Sequence, residues 1–213
     1  MIEVVPFTVG PVQENSYLVR PQGGDRAVLF DPGDEADRLL AGIEQLGVGL
    51  DAILLTHTHF DHVGAVAPVA RATGAPVYCP TLERDVLLDI DRYVPWPGIG
   101  PFENHEPEEL VGGGERVSLA GLDFDVVFTP GHSPGHVTWA LADGSALFSG
   151  DVLFQGSIGR TDLPFGDHQT LLRSIAGLLA AYPDEARVFP GHMGVTTLGA
   201  ERASNPFLQD LVA

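Results

Sequence analysis

An α/β fold is predicted by three features of the sequence. Short apolar runs closed by Gly, Pro or Asp recur along the chain, the pattern of strands ended by turns. Two stretches have helical apolar spacing, Glu35 to Leu46 and about Gln169 to Ala181. Four apolar runs, ILLTH, VVFTPGH, ALFSGD and RVFPGH, each end in a residue able to ligate a metal. Strands that deliver such residues to the loops after them would gather the ligands at one edge of packed sheets, a general arrangement for sites on a rigid scaffold.

In chain order, IEVVPFTVG, NSYLVRP and RAVLFDPG predict three strands. Leu39, Leu40, Ile43 and Leu46 share one face of the first helix. DAILLT predicts a buried strand, Val63 to Ala72 a helix, APVYC a strand and LERDVLLDI a short helix. Residues 91–114 are rich in Pro, Gly, Trp and acid, and long loops inside compact domains are usually functional or disordered. Tyr93, Trp96 and Phe102 within this segment favour a lid. RVSL, LDFDVVFT, HVTWALA and SALFSG follow as short strands, then the second long helix, a strand RVFP and a short C-terminal helix. No linker or low-complexity tract divides the chain, which predicts a single domain over residues 1–213.

Composition narrows the function. With 11 basic and 29 acidic residues the formal charge is −18, and the basic residues are scattered singly. Such a surface repels phosphate backbones, so nucleic acid is not an expected partner. No apolar run approaches the length of a membrane span and no signal peptide is visible, so no membrane association and a cytoplasmic location are expected. Cys79 is the single cysteine, which excludes a disulfide framework and a thiolate-rich zinc site.

The densest chemistry lies in LLTHTHFDHVG, residues 54–64, which holds three of the eight histidines. Residues two apart in an extended segment face the same way, so His57 and His59 can grip one ion. Asp61 and His62 fall where the chain turns into a helix and could face a second ion. Imidazole and carboxylate ligands suit zinc, iron or manganese. The remaining ligands come from the other strand ends: His132 and His192 in Pro-Gly-His turns, and Asp151 after SG, placed to bridge two cations. Two metals sharing a hydroxide form a standard hydrolytic arrangement that needs no Ser or Cys nucleophile. A lone His in a turn or a lone Asp after a strand is usually structural. Four ligand-type side chains in six residues are not, because their desolvation and repulsion need a metal for relief. Asp61 and Asp151 are the candidate catalytic carboxylates. His136 in GHSPGH is as readily a supporting or structural residue as a catalytic one. Asp31 in LFDPG could orient the metal loop or begin a turn. His168 follows Asp167, which has the place of an N-cap; His105 is expected to be exposed, and Cys79 to be a buried strand residue.

THTHFDH, TPGHSPGH, SGD and PGH, in this order, resemble the metallo-β-lactamase superfamily over nearly the whole chain. The resemblance implies an αββα four-layer sandwich with the metal site at one edge of two packed sheets. It also implies that His57, His59 and His132 hold the first metal, that Asp61, His62 and His192 hold the second, and that Asp151 bridges both. Zinc β-lactamases with a cysteine ligand place it where this chain has Asp151, which disfavours a β-lactamase. FSGDVLFQGSIGRTDLP and PGHMGVTTLGAERASNPFL resemble small glyoxalase II-type, hydroxyacylglutathione hydrolase-like proteins. In that family a basic residue after the bridging Asp contacts the glutathione moiety, and Arg160 has the similar place here; its alternative role is an ion pair with Asp162. Full-length glyoxalase II enzymes also carry a C-terminal helical region that supplies much of the glutathione site. With 21 residues after His192, no such extension is expected, which puts glutathione as the carrier thiol in question.

The leading expectation is hydrolysis of S-lactoylglutathione or a related hydroxyacyl thioester by metal-bound hydroxide, with two divalent ions, zinc first and iron or manganese as alternatives. A small-molecule thioester is then the partner; the oligomeric state is left open. The competing expectation is a persulfide dioxygenase-like oxidoreductase with one iron on His57, His132 and Asp151. Hydrolysis of another ester or lactone on the same metal pair is a third.

Overall fold

The computed structural model describes residues 1–94 and 96–211, so Pro95, inside the 91–114 segment, lies outside the described residues. Two compact units are present: Met1–Val111 with Ser118–Leu122, and Gly112–Val117 with Asp123 onward.

The first unit contains β1 (Ile2–Val9), β2 (Glu14–Pro21), β3 (Arg26–Phe30), α1 (Ala36–Leu46), β4 (Gly49–Leu54), α2 (Phe60–Val63), α3 (Val66–Thr73), β5 (Val77–Pro80), α4 (Arg84–Leu87), α5 (Ile90–Tyr93) and β6 (Glu109–Val111). Its six strands lie in sequence order in one sheet. β1, β2 and β3 pair antiparallel, and β3, β4, β5 and β6 pair parallel. The apolar face of α1 buries Leu39 and Ile43 against Leu29, Leu50 and Val69, with Leu40 and Leu46 partly buried beside them. Each such buried side chain contributes about 1.5–3 kcal/mol of transfer free energy. Gly47 ends α1 in the left-handed region, at φ 62°, where its N–H returns to the Glu44 carbonyl. Cys79 is buried in β5.

Two local readings change. The helix expected over Val63 to Ala72 is two, α2 and α3, parted at Gly64 and Ala65. A Cβ on Gly64 would stand 2.4 Å from the Gly33 carbonyl oxygen, and the Ala65 N–H is taken by the Pro32 carbonyl, so tertiary contacts override the periodicity. The 91–114 segment is not wholly irregular: α5 covers its start and β6 adds an edge strand within it.

The other six-stranded sheet, in the order β14–β13–β10–β9–β8–β7, belongs to the second unit except for Ser118, Leu119 and Leu122 of its last two strands. These strands are β7 (Arg116–Leu119), β8 (Leu122–Phe128), β9 (Val137–Leu141), β10 (Ala146–Gly150), β13 (Arg187–Pro190) and β14 (Thr196–Thr197). Between β10 and β13 come a hairpin, β11 (Leu153–Phe154) with β12 (Ser157–Ile158), and α6 (His168–Ala181); α7 (Leu198–Ser204) and a 3₁₀ turn, Pro206–Leu211, follow. Asp167 caps α6 by accepting the Thr170 N–H at 2.7 Å, and His168 beside it is exposed. β10 pairs antiparallel with β9 and parallel with β13, and β9 pairs antiparallel with β8. β8, β10 and β13 therefore run the same way, so His132, Asp151 and His192 leave the same edge of this sheet. Among the described residues no helix is long and apolar enough to cross a membrane.

Candidate metal centre

In the first unit β3 and β4 are parallel neighbours, so Asp31 and the THTHFDH loop leave the sheet together. Asp31 both makes the turn and orients the loop. It sits at φ 43°, a conformation Asp tolerates better than most residues. Its Oδ1 accepts the Thr56 N–H at 2.8 Å, and its Oδ2 accepts the Thr56 hydroxyl at 2.7 Å and His62 Nδ1–H at 3.0 Å. With its hydroxyl proton given to Asp31, Thr56 Oγ1 is left to accept from His57 Nδ1, 3.1 Å away. Both imidazoles therefore carry their proton on Nδ1 and present a bare Nε2, the state a metal requires.

His57 and His62 are fully buried. His57 Nε2 faces His59 Nδ1 at 3.1 Å, and His62 Nε2 faces Asp61 Oδ2 at 3.9 Å. Two ligands about 2.1 Å from one ion at a tetrahedral angle are about 3.4 Å apart. The two pairs bracket that value. Thr58, between the first two histidines, donates to the buried Glu83 carboxylate at 2.8 Å. Behind His62 lies Glu14, completely buried, with Oε1 3.8 Å from His62 Nδ1. Burial holds the Glu14 carboxyl well above the usual range, against the opposing pull of His62. The loop passes so close to the β3 turn that a Cβ on Gly33 would meet the Asp61 carbonyl oxygen at 1.7 Å.

In the second unit Asp151 Oδ2 is 3.5 Å from His132 Nε2 and 3.6 Å from His192 Nε2. One carboxylate oxygen thus faces two imidazoles at chelate spacing. His132 Nδ1 donates to the Arg160 carbonyl at 2.8 Å, which again leaves Nε2 bare. His136 accepts the Asp151 N–H on Nε2 at 3.1 Å, and its Nδ1 lies 3.1 Å from the Thr129 hydroxyl. That ring supports Asp151 and has no nitrogen left for an ion. Arg160 is engaged by Asp162 through two parallel hydrogen bonds, 2.7 and 2.8 Å, and the guanidinium holds the exposed Asp162 carboxyl at about 2. His105 is half-buried rather than exposed, with Nε2 3.3 Å from Glu108.

Three supporting groups, Glu14, Thr56 and Glu83, escape a reading for ligands. Thr56 carries a local signal, its place directly before His57; Glu14 and Glu83 carry none, since each meets the loop only through tertiary packing. The first unit also holds a cleft of about 290 Å³ walled by Val9, Pro11, Val12, Phe60, Ile99 and Phe102, with Asp34 and Asp61 as its charged lining. Phe60 anchors the 91–114 segment there, with ring centroids 5.7 Å from Trp96 and 5.9 Å from Phe102.

This donor set agrees with a family match. A model of the metallo-β-lactamase superfamily covers residues 9–192, and the chain belongs to that superfamily of metallo-hydrolases. Its fold is the metallo-β-lactamase fold, mixed α/β with two sheets. The chain is 38% identical over 210 residues to the hydroxyacylglutathione hydrolase GloC of Haemophilus influenzae, covering 97% of each protein. Among solved structures it is similar to TTHA1623 in a di-iron-bound form, at 46% identity and TM-score 0.87 over 96% of this chain and 100% of that one. It is also similar to the B3 metallo-β-lactamase BLEG-1, at 40% identity and TM-score 0.90 over 98% and 100%.

Proposed function

We propose that the protein is a glyoxalase II-like thioester hydrolase, acting on S-lactoylglutathione or a related hydroxyacyl thioester with two divalent cations. His57, His59 and His132 would hold the first ion, Asp61, His62 and His192 the second, with Asp151 bridging. The observation that carries the reading is the ligand preparation: His57, His62 and His132 each have Nδ1 engaged by a dedicated acceptor and Nε2 turned to a partner ligand. The likeness to the Haemophilus hydrolase supports the thioester, and the di-iron relative supports a binuclear site without choosing the metal. When bound, such ions supply an acidified water and a Lewis acid for the carbonyl oxygen. The chain's own residues fix the ligand atoms, engage Nδ1 of His57, His62 and His132 and, through Phe60 and Phe102, offer an apolar wall beside Asp61. A thiolate leaves readily, so no strong general acid is required of the chain.

The test is turnover of S-lactoylglutathione and simpler thioesters by protein loaded with zinc, iron or manganese. No turnover of any thioester ends this reading. Oxygen uptake with glutathione persulfide and one iron per chain would favour the dioxygenase. The likeness to the B3 enzyme supports β-lactam hydrolysis as a second reading, and a chromogenic cephalosporin tests it.

A further inference from the structure

We propose that Glu201 and Asn205 are positioning residues for His132, acting from α7 through the β11–β12 hairpin. The proposal rests on the reading of His132 as a metal ligand. It gives a physical role to the TTLGAERASN segment, none of whose residues is a proposed ligand.

The hairpin has two residues in each strand, too little ladder to hold itself. Its backbone is held from outside. Glu201 is 2% exposed; its Oε1 accepts the Thr196 hydroxyl at 2.6 Å, and its Oε2 accepts the Gly156 N–H and Asn205 Nδ2, both at 2.8 Å. Asn205, fully buried, also donates from Nδ2 to the Ser157 carbonyl at 2.9 Å, and its Oδ1 accepts the Phe207 N–H at 3.0 Å. Four residues apart on one helical face, the two side chains thus take a donor and an acceptor from adjacent hairpin residues.

From the hairpin the chain runs directly into the site. The Gly159 N–H bonds the Val152 carbonyl at 3.2 Å, and a Cβ at Gly159 would stand 1.9 Å from the Asp151 carbonyl oxygen and 3.2 Å from His132 Nδ1. The next carbonyl, Arg160, receives His132 Nδ1–H at 2.8 Å. Glu201 and Asn205 therefore fix Gly156 and Ser157, these fix Ile158 to Arg160, and Arg160 aims the imidazole whose Nε2 faces Asp151. Displacing such support by about 0.5–1 Å loosens a site without unfolding it.

The experiment measures cation affinity by chelator competition, with the visible spectrum of the cobalt(II)-loaded protein as a second readout, on full-length variants. Asn205→Ala and Glu201→Ala should weaken one of the two cobalt ions by about 10–100-fold and shift its bands. Glu201→Gln should bind as the parent does, because its carbonyl can keep Gly156 and Asn205 while Thr196 turns its hydroxyl to accept. Leu178→Ala, a core truncation in α6, serves as a control for stability loss alone and should leave affinity and spectrum unchanged. If Asn205→Ala does not fold, Glu201→Asp, one methylene shorter, is read in the same way. Parent-like cobalt binding by the folded alanine variants, or a change matched by Leu178→Ala, overturns the proposal. Failure of the parent to bind cobalt at all overturns instead the metal reading beneath it.

Discussion

Replacing Asp31 by Asn tests how the THTHFDH loop is prepared for a metal. The substitution preserves shape, and Asn tolerates the φ of 43° at this position, so backbone strain is not added. What changes is hydrogen-bond polarity. The Asn carbonyl can still accept the Thr56 N–H, but the amide nitrogen now stands where Oδ2 accepted the Thr56 hydroxyl and His62 Nδ1. Thr56 can turn its hydroxyl. His62 must instead accept on Nδ1, which moves its proton to Nε2, the nitrogen proposed to bind the second ion. The flipped amide is no better, since it leaves the buried Thr56 N–H facing a donor at a cost of about 1–3 kcal/mol. The second ion should therefore lose about 10–100-fold in affinity, equivalent to roughly 1.4–2.8 kcal/mol. The first ion should change less, because Thr56 Oγ1 can still accept from His57 Nδ1. Chelator competition with metal analysis reads both affinities. Two ions bound as in the parent, or equal loss from both, would refute the claim that Asp31 sets the His62 tautomer.

Other outcomes rest on single contacts. Gly159→Ala places a Cβ 1.9 Å from the Asp151 carbonyl oxygen, so the variant should bind metal at least tenfold more weakly, by the same competition assay. Glu14 has its folded carboxyl raised by burial, so the metal-free protein should lose stability as pH rises above the ordinary value of 4.5. Glu14→Gln should remove that slope, raising the metal-free Tm near neutral pH by about 2–4 °C for each kcal/mol relieved; a slope unchanged by the substitution contradicts this. Asp162→Asn releases Arg160 from its ion pair, and a several-fold lower KM for S-lactoylglutathione at constant kcat would place the guanidinium at a substrate carboxylate. An unchanged KM retires Arg160 from that role. In the parent the Asp162 contribution to stability is complete above the unperturbed carboxyl value of 3.8 and fades as pH falls toward about 2.

The proposed ligands stand out in the sequence because their information is local. His57 and His59 reveal themselves by alternation, Asp61 and His62 by crowding into the same six residues, and His132, Asp151 and His192 by following, within four residues, apolar runs that do form strands. The β11–β12 hairpin is not legible for the opposite reason: two-residue strands have no periodicity, and what holds them is the side-chain pair of Glu201 and Asn205, far along the chain. Glu14 reads as an ordinary polar residue at the head of ENSYLV, yet it is completely buried beneath His62. The break between α2 and α3 hides inside a valid helical pattern, because Gly64 answers to the Gly33 carbonyl and not to its own helix. β6 escapes because three residues in a Pro- and Gly-rich stretch carry no strand signal until β5 offers an edge.

The supports behind the ligands also imply that the two proposed ions are not equivalent. The first would be held by three imidazoles, of which His57 leans on a hydroxyl and His132 on a peptide carbonyl. The second would have the Asp61 carboxylate and His62, whose Nδ1 is backed by the Asp31 carboxylate, an acceptor that makes the imidazole a stronger donor. More negative charge and the more basic ring both favour the second position for a divalent cation. A mononuclear iron oxidoreductase would instead place its ion on His57, His132 and Asp151. The order of filling thus separates the two chemistries before any substrate is added. One equivalent of cobalt(II) should be released by Asp61→Asn and retained by His57→Asn if the hydrolase reading holds, and the reverse dependence would point to the single-iron site.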